Sequence, residues 1–277
     1  MRIAARKDEI RDTVSAFRRA GESVGLVPTM GYLHDGHLTL VRAAKATCDR
    51  VVVTIFVNPT QFGPNEDLAK YPRDLPRDLA LLKAAGVDAV FTPEPAEMYV
   101  DGAETVVETT KLSRVLIGRL RPGHFRGVAT VVTKLFHIVG PDHAFFGEKD
   151  FQQLAVLHRM VRDLDFPLVI HGVPTVREPD GLAMSSRNVR LTPLDRAAAP
   201  VLHRALLHGA GLSNAAQITR EVRAMIAAEP RASVQSVDLR DAETLAPVSG
   251  RLTRPAVILL AVKFGDVLLI DNKVVTP

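Results

Sequence analysis

The sequence predicts an α/β fold: a doubly wound parallel sheet followed by a second, smaller α+β domain. Three observations carry this expectation. Between residues 24 and 173, short apolar and β-branched runs alternate with stretches of helical period. Within that region, Val51-Val52-Val53-Thr54-Ile55-Phe56-Val57 is apolar on both faces, as a strand in the middle of a parallel sheet must be. After Val176 the alternation stops. Two helical stretches are then followed by three strands, the last two separated by the two-residue turn Gly265-Asp266.

Taken in order, residues 8–20 read as an amphipathic helix with Ile10, Val14 and Phe17 on one side. The first strand is expected over 24–28, with Pro28 ending the ladder because it has no N–H to donate. Gly31 and Gly36 let the backbone turn tightly, and a helix is expected over 38–48 with Leu38, Val41, Ala44 and Cys48 on one face. The strand at 51–57 runs into the loop Asn58-Pro59-Thr60-Gln61-Phe62-Gly63-Pro64-Asn65, and a helix over 75–85 and a strand over 89–92 follow. Residues 94–112 show no clear period. Arg121-Pro122-Gly123-His124-Phe125-Arg126-Gly127 then leads into a helix with Val128, Val131, Val132, Leu135, Phe136 and Val139 on its core face. A strand over 142–146, a helix and a strand over 168–173 complete a first domain placed at 1–175. The linker near 174–179 opens a second domain at 176–277, with helices over 193–208 and 215–229 and strands over 235–240, 255–264 and 267–270.

Composition narrows the function. The 277 residues are 47% hydrophobic and 24% charged, which is ordinary globular material with ample core. A balance of 35 basic against 31 acidic residues is too mild and too dispersed for a nucleic-acid binder, and with no Trp and only 5% aromatic residues stacking platforms for single strands are not expected. Cys48 is the one cysteine, so no intrachain disulfide forms. The N-terminus lacks an apolar signal core, and the longest apolar run, 256–262, is too short to span a bilayer. A soluble cytoplasmic protein is expected.

In an open α/β sheet, ligands bind beyond the carboxyl ends of the strands. The polar clusters of this chain fall at such ends. His34 and His37 follow the first strand at the entrance of a helix, where N–H groups and a partial positive charge suit a phosphate. The same field favours neutral imidazoles until an anion arrives. The spacing Gly31-x4-Gly36 lacks the Lys and Ser/Thr of a P-loop, and no Cys pair or third His stands near enough to complete a zinc set. Satisfied loop histidines are the plain alternative. Asn58 and Gln61 follow the second strand. Glu148, Lys149 and Asp150 follow the strand at 142–146, where a surface ion pair is the alternative reading. Arg121, His124 and Arg126 precede a helix, where cations call for a bridging anion; this is a second phosphate hint, set against a solvated basic loop. The loop Arg177-Glu178-Pro179-Asp180-Gly181-Leu182-Ala183-Met184-Ser185-Ser186-Arg187-Asn188 offers two hydroxyls and a guanidinium able to close over a triphosphate, or else forms an ordinary hinge. Gln61 and Gln153 are uncharged amides that can orient a hydroxy acid.

The set as a whole resembles a known family. His34-x-x-His37 resembles the HIGH signature, and Met184-Ser185-Ser186-Arg187 the KMSKS-type loop, of the Rossmann-like nucleotidyl-transferring superfamily. More narrowly, Pro28-Thr29-Met30-Gly31 through His37, Asn58-Pro59-Thr60-Gln61-Phe62, Arg121-Pro122-Gly123-His124-Phe125, Gly147-Glu148-Lys149-Asp150-Phe151-Gln152-Gln153 and the 177–188 loop closely resemble the pantoate–β-alanine ligase (pantothenate synthetase) family, in order and over nearly the whole chain. Tyr32 and Asp35 stand where Ala and Glu are common in the family, and Tyr32 would narrow the mouth of the site. Thr60 stands at a variable place.

The resemblance implies an ATP-dependent ligase of pantothenate biosynthesis, upstream of coenzyme A. Pantoate would attack the α-phosphate to give pantoyl adenylate and pyrophosphate, and β-alanine would then displace AMP. It implies catalytic roles for His34, His37, Lys149, Ser185, Ser186 and Arg187, with His37 as proton donor. ATP would be bound by Met30, Gly31, Tyr32, Leu33, His34, Asp35, Gly36 and His37, by Gly147, Glu148, Lys149 and Asp150, by Val176 through its backbone, and by Met184, Ser185, Ser186 and Arg187. Gln61 and Gln153 would hold pantoate, with Gln61 near β-alanine. Mg²⁺ would bridge the phosphates with Asp74 or Asp78 as a protein ligand, the smaller domain would act as a lid, and a homodimer would form near Tyr71. The rival readings are a related nucleotidyltransferase that stops at the nucleotidylated product and a non-catalytic nucleotide sensor.

Overall fold

The computed structural model describes residues 1–63, 66 and 68–277. Pro64 and Asn65, at the end of the expected 58–65 loop, lie outside the described residues. The chain divides into two compact units, Met1–Glu148 with Val156–Pro174, and Lys149–Ala155 with Thr175–Pro277.

The larger unit is built on six parallel strands: β1 (Arg2–Ala4), β2 (Val24–Thr29), β3 (Arg50–Ile55), β4 (Ala89–Phe91), β5 (His143–Gly147) and β6 (Val169–Val173). Helices α1 (Lys7–Arg19), α2 (Asp35–Thr47), α3 (Leu75–Ala84), α4 (Pro95–Met98), α5 (Ile117–Leu120), α6 (His124–Val139) and α7 (Phe151–Asp163) connect them. The strand order is β1-β4-β3-β2-β5-β6, so the direction of winding reverses between β2 and β5. That reversal is the topological switch point, where an open α/β sheet leaves a crevice at the strands' carboxyl ends. Strand β1 is an addition to the expected elements; it is three residues long, lies at the sheet edge and buries only Ala4, so it leaves almost no pattern in the sequence.

Pro28 does not end β2. The ladder with β3 continues through Pro28 and Thr29, whereas the ladder with β5 pairs only Gly25 and Leu26. The two strands part before Pro28, and the crevice opens there. Helix α2 starts at Asp35, not 38, because His34 caps it. Its buried face is Leu40, Val41 and Ala44, with Cys48 at the C-cap; Leu38 is only partly covered. Behind these lie Val27, Leu33, Val53, Val90 and Phe145.

The smaller unit stacks α8 (Pro193–Ala198), α9 (Val201–Ala210) and α10 (Ala215–Ala227) with an antiparallel sheet of β7 (Ala232–Asp241), β8 (Ala256–Phe264) and β9 (Val267–Val275). The single helix expected over 193–208 is two, because Pro200 cannot donate to a continuing ladder. Leu202, Leu206, Ile218, Val222, Ile226 and Ile258 fill its core; each such side chain stabilises the fold by about 1.5–3 kcal/mol relative to leaving it exposed. The Gly265-Asp266 turn joins Phe264 to its partner Val267. Strand β9 continues five residues beyond the expected end, to Val275, since Asp271, Asn272 and Lys273 hide its apolar alternation. No helix among the described residues is long and apolar enough to cross a membrane.

Candidate active site

In the larger unit, the loops after β2, β3 and β5 leave from one edge of the sheet. The loop after β2 is organised by a residue the sequence reading misassigned. Asp78, 1% exposed near the start of α3, accepts the amide of Tyr32 at 2.7 Å and that of Leu33 at 2.8 Å, one on each carboxylate oxygen. Burial pushes its carboxyl above the ordinary range, against the downward pull of those two amides. Asp74 caps α3 by accepting from the Arg77 amide. Neither aspartate fits the expected Mg²⁺ ligand: Asp78 is buried with both oxygens on backbone, and Asp74 holds a helix end. Among the described residues, no group of three or more His, Cys, Asp or Glu is placed to hold a metal ion.

The chain reaches Asp78 by two successive left-handed residues, Gly31 (φ 82°) and Tyr32 (φ 52°). At Gly31 an added Cβ would stand 3.0 Å from Ile55 and 3.1 Å from the Asp78 carboxylate, so only glycine fits without a shift. Tyr32 tolerates its conformation under the hold of Asp78, with the Arg77 guanidinium 5.4 Å above its ring. Leu33 is buried in the core with its amide on Asp78, so its part is to hold the loop.

The helix entrance behaves differently from the expectation of open N–H groups. The Gly36 amide donates to His34 Nδ1 at 3.1 Å, the His34 amide donates to His37 Nδ1 at 3.3 Å, and the His37 and Leu38 amides donate to the His34 carbonyl. These amides are therefore satisfied within the loop. The consequence is chemical: both Nδ1 atoms accept, so in the neutral rings the proton sits on Nε2. In that neutral form each imidazole carries its N–H at Nε2, and the ring centroids lie 4.1 Å apart.

After β3, Asn58 organises the second loop. Its Nδ2 donates to Gln61 Oε1 and to the Gly127 carbonyl, both at 3.2 Å, while its Oδ1 accepts from Tyr99 at 2.8 Å and from Thr60 Oγ1 at 3.0 Å. Gln61, buried at 8% exposure, is thereby oriented with Oε1 towards Asn58 and Nε2 on Met30 Sδ at 3.0 Å. Gly127 of α6 lets this loop pack closely: a Cβ there would lie 2.5 Å from the Thr60 carbonyl oxygen. The Gln61 carbonyl accepts from His124 Nδ1 and from Arg121. Arg121 also forks onto Glu66 at 2.5 and 2.8 Å. Burial alone would lift the Glu66 carboxyl, but Arg121 outweighs it and holds it below the usual range. The anion expected to bridge this basic cluster is thus a carboxylate of the protein, and Gly147 and Glu148 complete this edge at the end of β5.

The smaller unit carries the other candidates. Lys149 is mostly covered, with Nζ 3.8 Å from Asp150, a distance that makes only a weak pair. Gln153 lies in the first turn of α7 beside the more buried Gln152. The 177–188 loop is a closed hairpin: Met184 donates to the Val176 carbonyl, Glu178 donates to Leu182, and Asn188 Nδ2 ties back to the Ala183 carbonyl. Arg177 is engaged within its own unit. It forks onto Asp271 of β9 at 2.7 and 3.0 Å and donates to the Gly181 carbonyl. Beyond it, Ser185 Oγ accepts from the Arg187 amide, and Ser186 is buried. Sequence reasoning gave Asp78 another role and missed Tyr99, Asp271 and Asn272, none of which stands in a motif. Cys48 is not a nucleophile candidate, because burial, then Asp142 and Asp49, push its thiol up to about 11.

A switch-point crevice in a doubly wound sheet, with a His-x-x-His pair fixed as donors at a helix entrance, defines an α/β protein of the nucleotide-binding class. Residues 2–274 match the pantoate–β-alanine ligase family, and the chain belongs to it. It is 54% identical to the pantothenate synthetase of Bartonella henselae, covering 98% of each chain. Its fold matches the crystal structure of pantothenate synthetase from Thermus thermophilus with a TM-score of 0.95, at 48% identity and full coverage of both chains. It matches pantoate–β-alanine ligase from Francisella tularensis, solved in complex with β-γ ATP and β-alanine, with a TM-score of 0.82 at 35% identity, covering 99% of this chain and 97% of that one.

Proposed function

We propose that this chain joins pantoate to β-alanine in two steps driven by ATP. The pantoate carboxylate attacks the α-phosphorus, the bond to the bridging oxygen of pyrophosphate breaks, and pantoyl adenylate forms. The amine of β-alanine then attacks the acyl carbon, loses a proton, and AMP leaves. The observation that carries this reading is the His34 and His37 pair, held as Nε2–H donors at the switch point in a chain of this family. Preorganised donors of this kind stabilise charge as it develops on phosphate oxygens.

In this reading His34, His37, Lys149, Ser185, Ser186 and Arg187 act on the phosphates, Met30, Gly31, Glu148, Asp150, Met184 and the Val176 backbone bind the nucleotide, and Gln61 and Gln153 hold pantoate. Neutral amides orient the acid without pairing it as an ion, so its carboxylate stays nucleophilic. Mg²⁺ would arrive on the phosphates with its waters, since the described residues offer no cage for it. A cytoplasmic homodimer completes the proposal; sedimentation at the 30.1 kDa monomer mass would remove the dimer. Tyr71, near which the dimer contact is expected, is buried and packs edge-on against Phe62.

The test is isotope exchange. ATP, pantoate, Mg²⁺ and labelled pyrophosphate should yield labelled ATP without any amine, and adding β-alanine should give pantothenate and AMP. ADP as the stoichiometric product, or no exchange without β-alanine, would overturn the adenylate route. A product that stays nucleotidylated when β-alanine is present would favour the related nucleotidyltransferase.

A further inference from the structure

Strand β9 is an edge strand, paired only with β8. Between its core residues Leu269 and Val275 stand two buried polar side chains, Asp271 at 3% exposure and Asn272 at 8%. Buried polar groups are costly without partners. The partners here come from two segments far away in the sequence. Asp271 takes the Arg177 fork at the base of the 177–188 loop, and its Oδ1 also accepts the Asn272 amide at 2.8 Å. Asn272 Nδ2 donates to the main-chain carbonyl of Lys149 at 2.9 Å. Successive side chains of a strand leave by opposite faces, so one dipeptide can reach segments approaching from either side.

We propose that Asp271-Asn272 is a positioning element for the reaction: Asn272 sets Lys149, and Asp271 sets the base of the loop bearing Ser185, Ser186 and Arg187. The proposal rests on the reading of Lys149 and that loop as phosphate-side groups. Three features separate it from plain stabilisation. The carbonyl that Asn272 grips belongs to Lys149 itself, in a single 3₁₀ turn between β5 and α7. Arg177 closes the loop as well as the ion pair, through the Gly181 carbonyl. A buried ion pair is also a poor source of stability compared with an apolar pair of the same shape, whereas it fixes register well.

The experiment is a double-mutant cycle on the full chain. Asn272→Ala is made alone and with Lys149→Ala, and kcat and KM are read by release of labelled AMP, with thermal melts alongside. Asn272→Ala alone should lower kcat about tenfold, the loss of one buried hydrogen bond, with the pantoate KM within about twofold. With Lys149→Ala, itself down about 10²–10³-fold, the further loss should be under about twofold. Asn272→Leu, of similar size but without the donor, should repeat the kcat loss even if the alanine variant melts early. Equal losses in both backgrounds, or none with Lys149 intact, would overturn the proposal alone. A Lys149→Ala enzyme within a few-fold of the parent would overturn the reading of Lys149 and this proposal with it.

Discussion

The two units hold their polar loops with the same acceptor and different donors. In the larger unit, the Asp78 carboxylate binds two backbone amides of the 30–37 loop. In the smaller unit, the Asp271 carboxylate binds the guanidinium of Arg177. Amides cannot move without moving the chain, so the bonds to Asp78 go with left-handed φ at Gly31 and Tyr32. A guanidinium sits at the end of a flexible side chain, so Asp271 fixes where the loop starts and leaves the hairpin bonds at Val176, Glu178 and Asn188 to shape the rest. The first device demands local strain, and the second demands a long-range partner.

Of the variants that test this comparison, Asp78→Ala should have the largest effect. It leaves two covered amides without an acceptor, at about 1–3 kcal/mol each, and releases the strained Tyr32. We expect a drop in melting temperature of several degrees and a loss of about 10²-fold in pyrophosphate exchange, with ATP binding by calorimetry weakened. An Asp78→Ala enzyme that keeps its ATP affinity would show that the loop does not depend on this carboxylate. Arg177→Lys probes the other device. It keeps the charge and removes the fork, and with it a charge-assisted bond of about 1.5–3 kcal/mol. Steady-state kinetics should show a higher ATP KM and an unchanged pantoate KM; the reverse pattern would break the assignment of this loop to the nucleotide.

Gln153→Ala should weaken pantoate by about 1–3 kcal/mol in calorimetric titration and leave ATP nearly untouched. Tyr99→Phe should be milder, because Asn58 Oδ1 keeps its bond from Thr60. A rise of about three- to tenfold in the pantoate KM, with the ATP KM constant, is the expected signature of a phenol acting through Asn58 and Gln61; a fall in kcat alone would contradict it.

The smallest effect should come from the β5–β6 histidines, away from the loops. His143 Nδ1 and His171 Nε2 are 2.9 Å apart, a bond that requires one of them to accept. Burial and then His143 lower the His171 pKa, and burial and then His171 lower that of His158. The unfolded chain therefore binds more protons than the folded one. The stability these groups contribute is complete above the ordinary imidazole value of about 6.5 and declines as pH falls through it towards the depressed folded values. Melts at neutral and mildly acidic pH should differ by a few degrees more in the parent than in His171→Gln. Equal pH dependence in both would remove the histidines as its source.

The polar motifs were legible because they sit where strands end, and strand ends are marked by the change from period two to helical period. The His34 and His37 pair, Gln61, Lys149 and the Ser185-Ser186-Arg187 stretch all stand at such marks or in a glycine-bearing loop. The hold of Asp78 on the 30–37 loop left no mark, because an acidic residue in the first turn of a helix reads as an ordinary dipole partner. Tyr99 lies in a stretch without period, and Asp271-Asn272 looked like the end of a strand.

By itself, the sequence determined the alternation of strands and helices, the central position of β3, the Gly265-Asp266 hairpin, and the residue types able to meet phosphate and a hydroxy acid. These follow from local periodicity and side-chain chemistry, which are written residue by residue. The tertiary structure alone decided that the amides of His34, Gly36, His37 and Leu38 are occupied within the loop, with the Nδ1 atoms of both imidazoles as acceptors. It also decided that Arg121 already has its anion in Glu66, and that Lys149 is gripped by a residue 123 positions away. A hydrogen bond is set by which atoms meet in space, and partners separated by tens of residues leave no periodic trace along the chain.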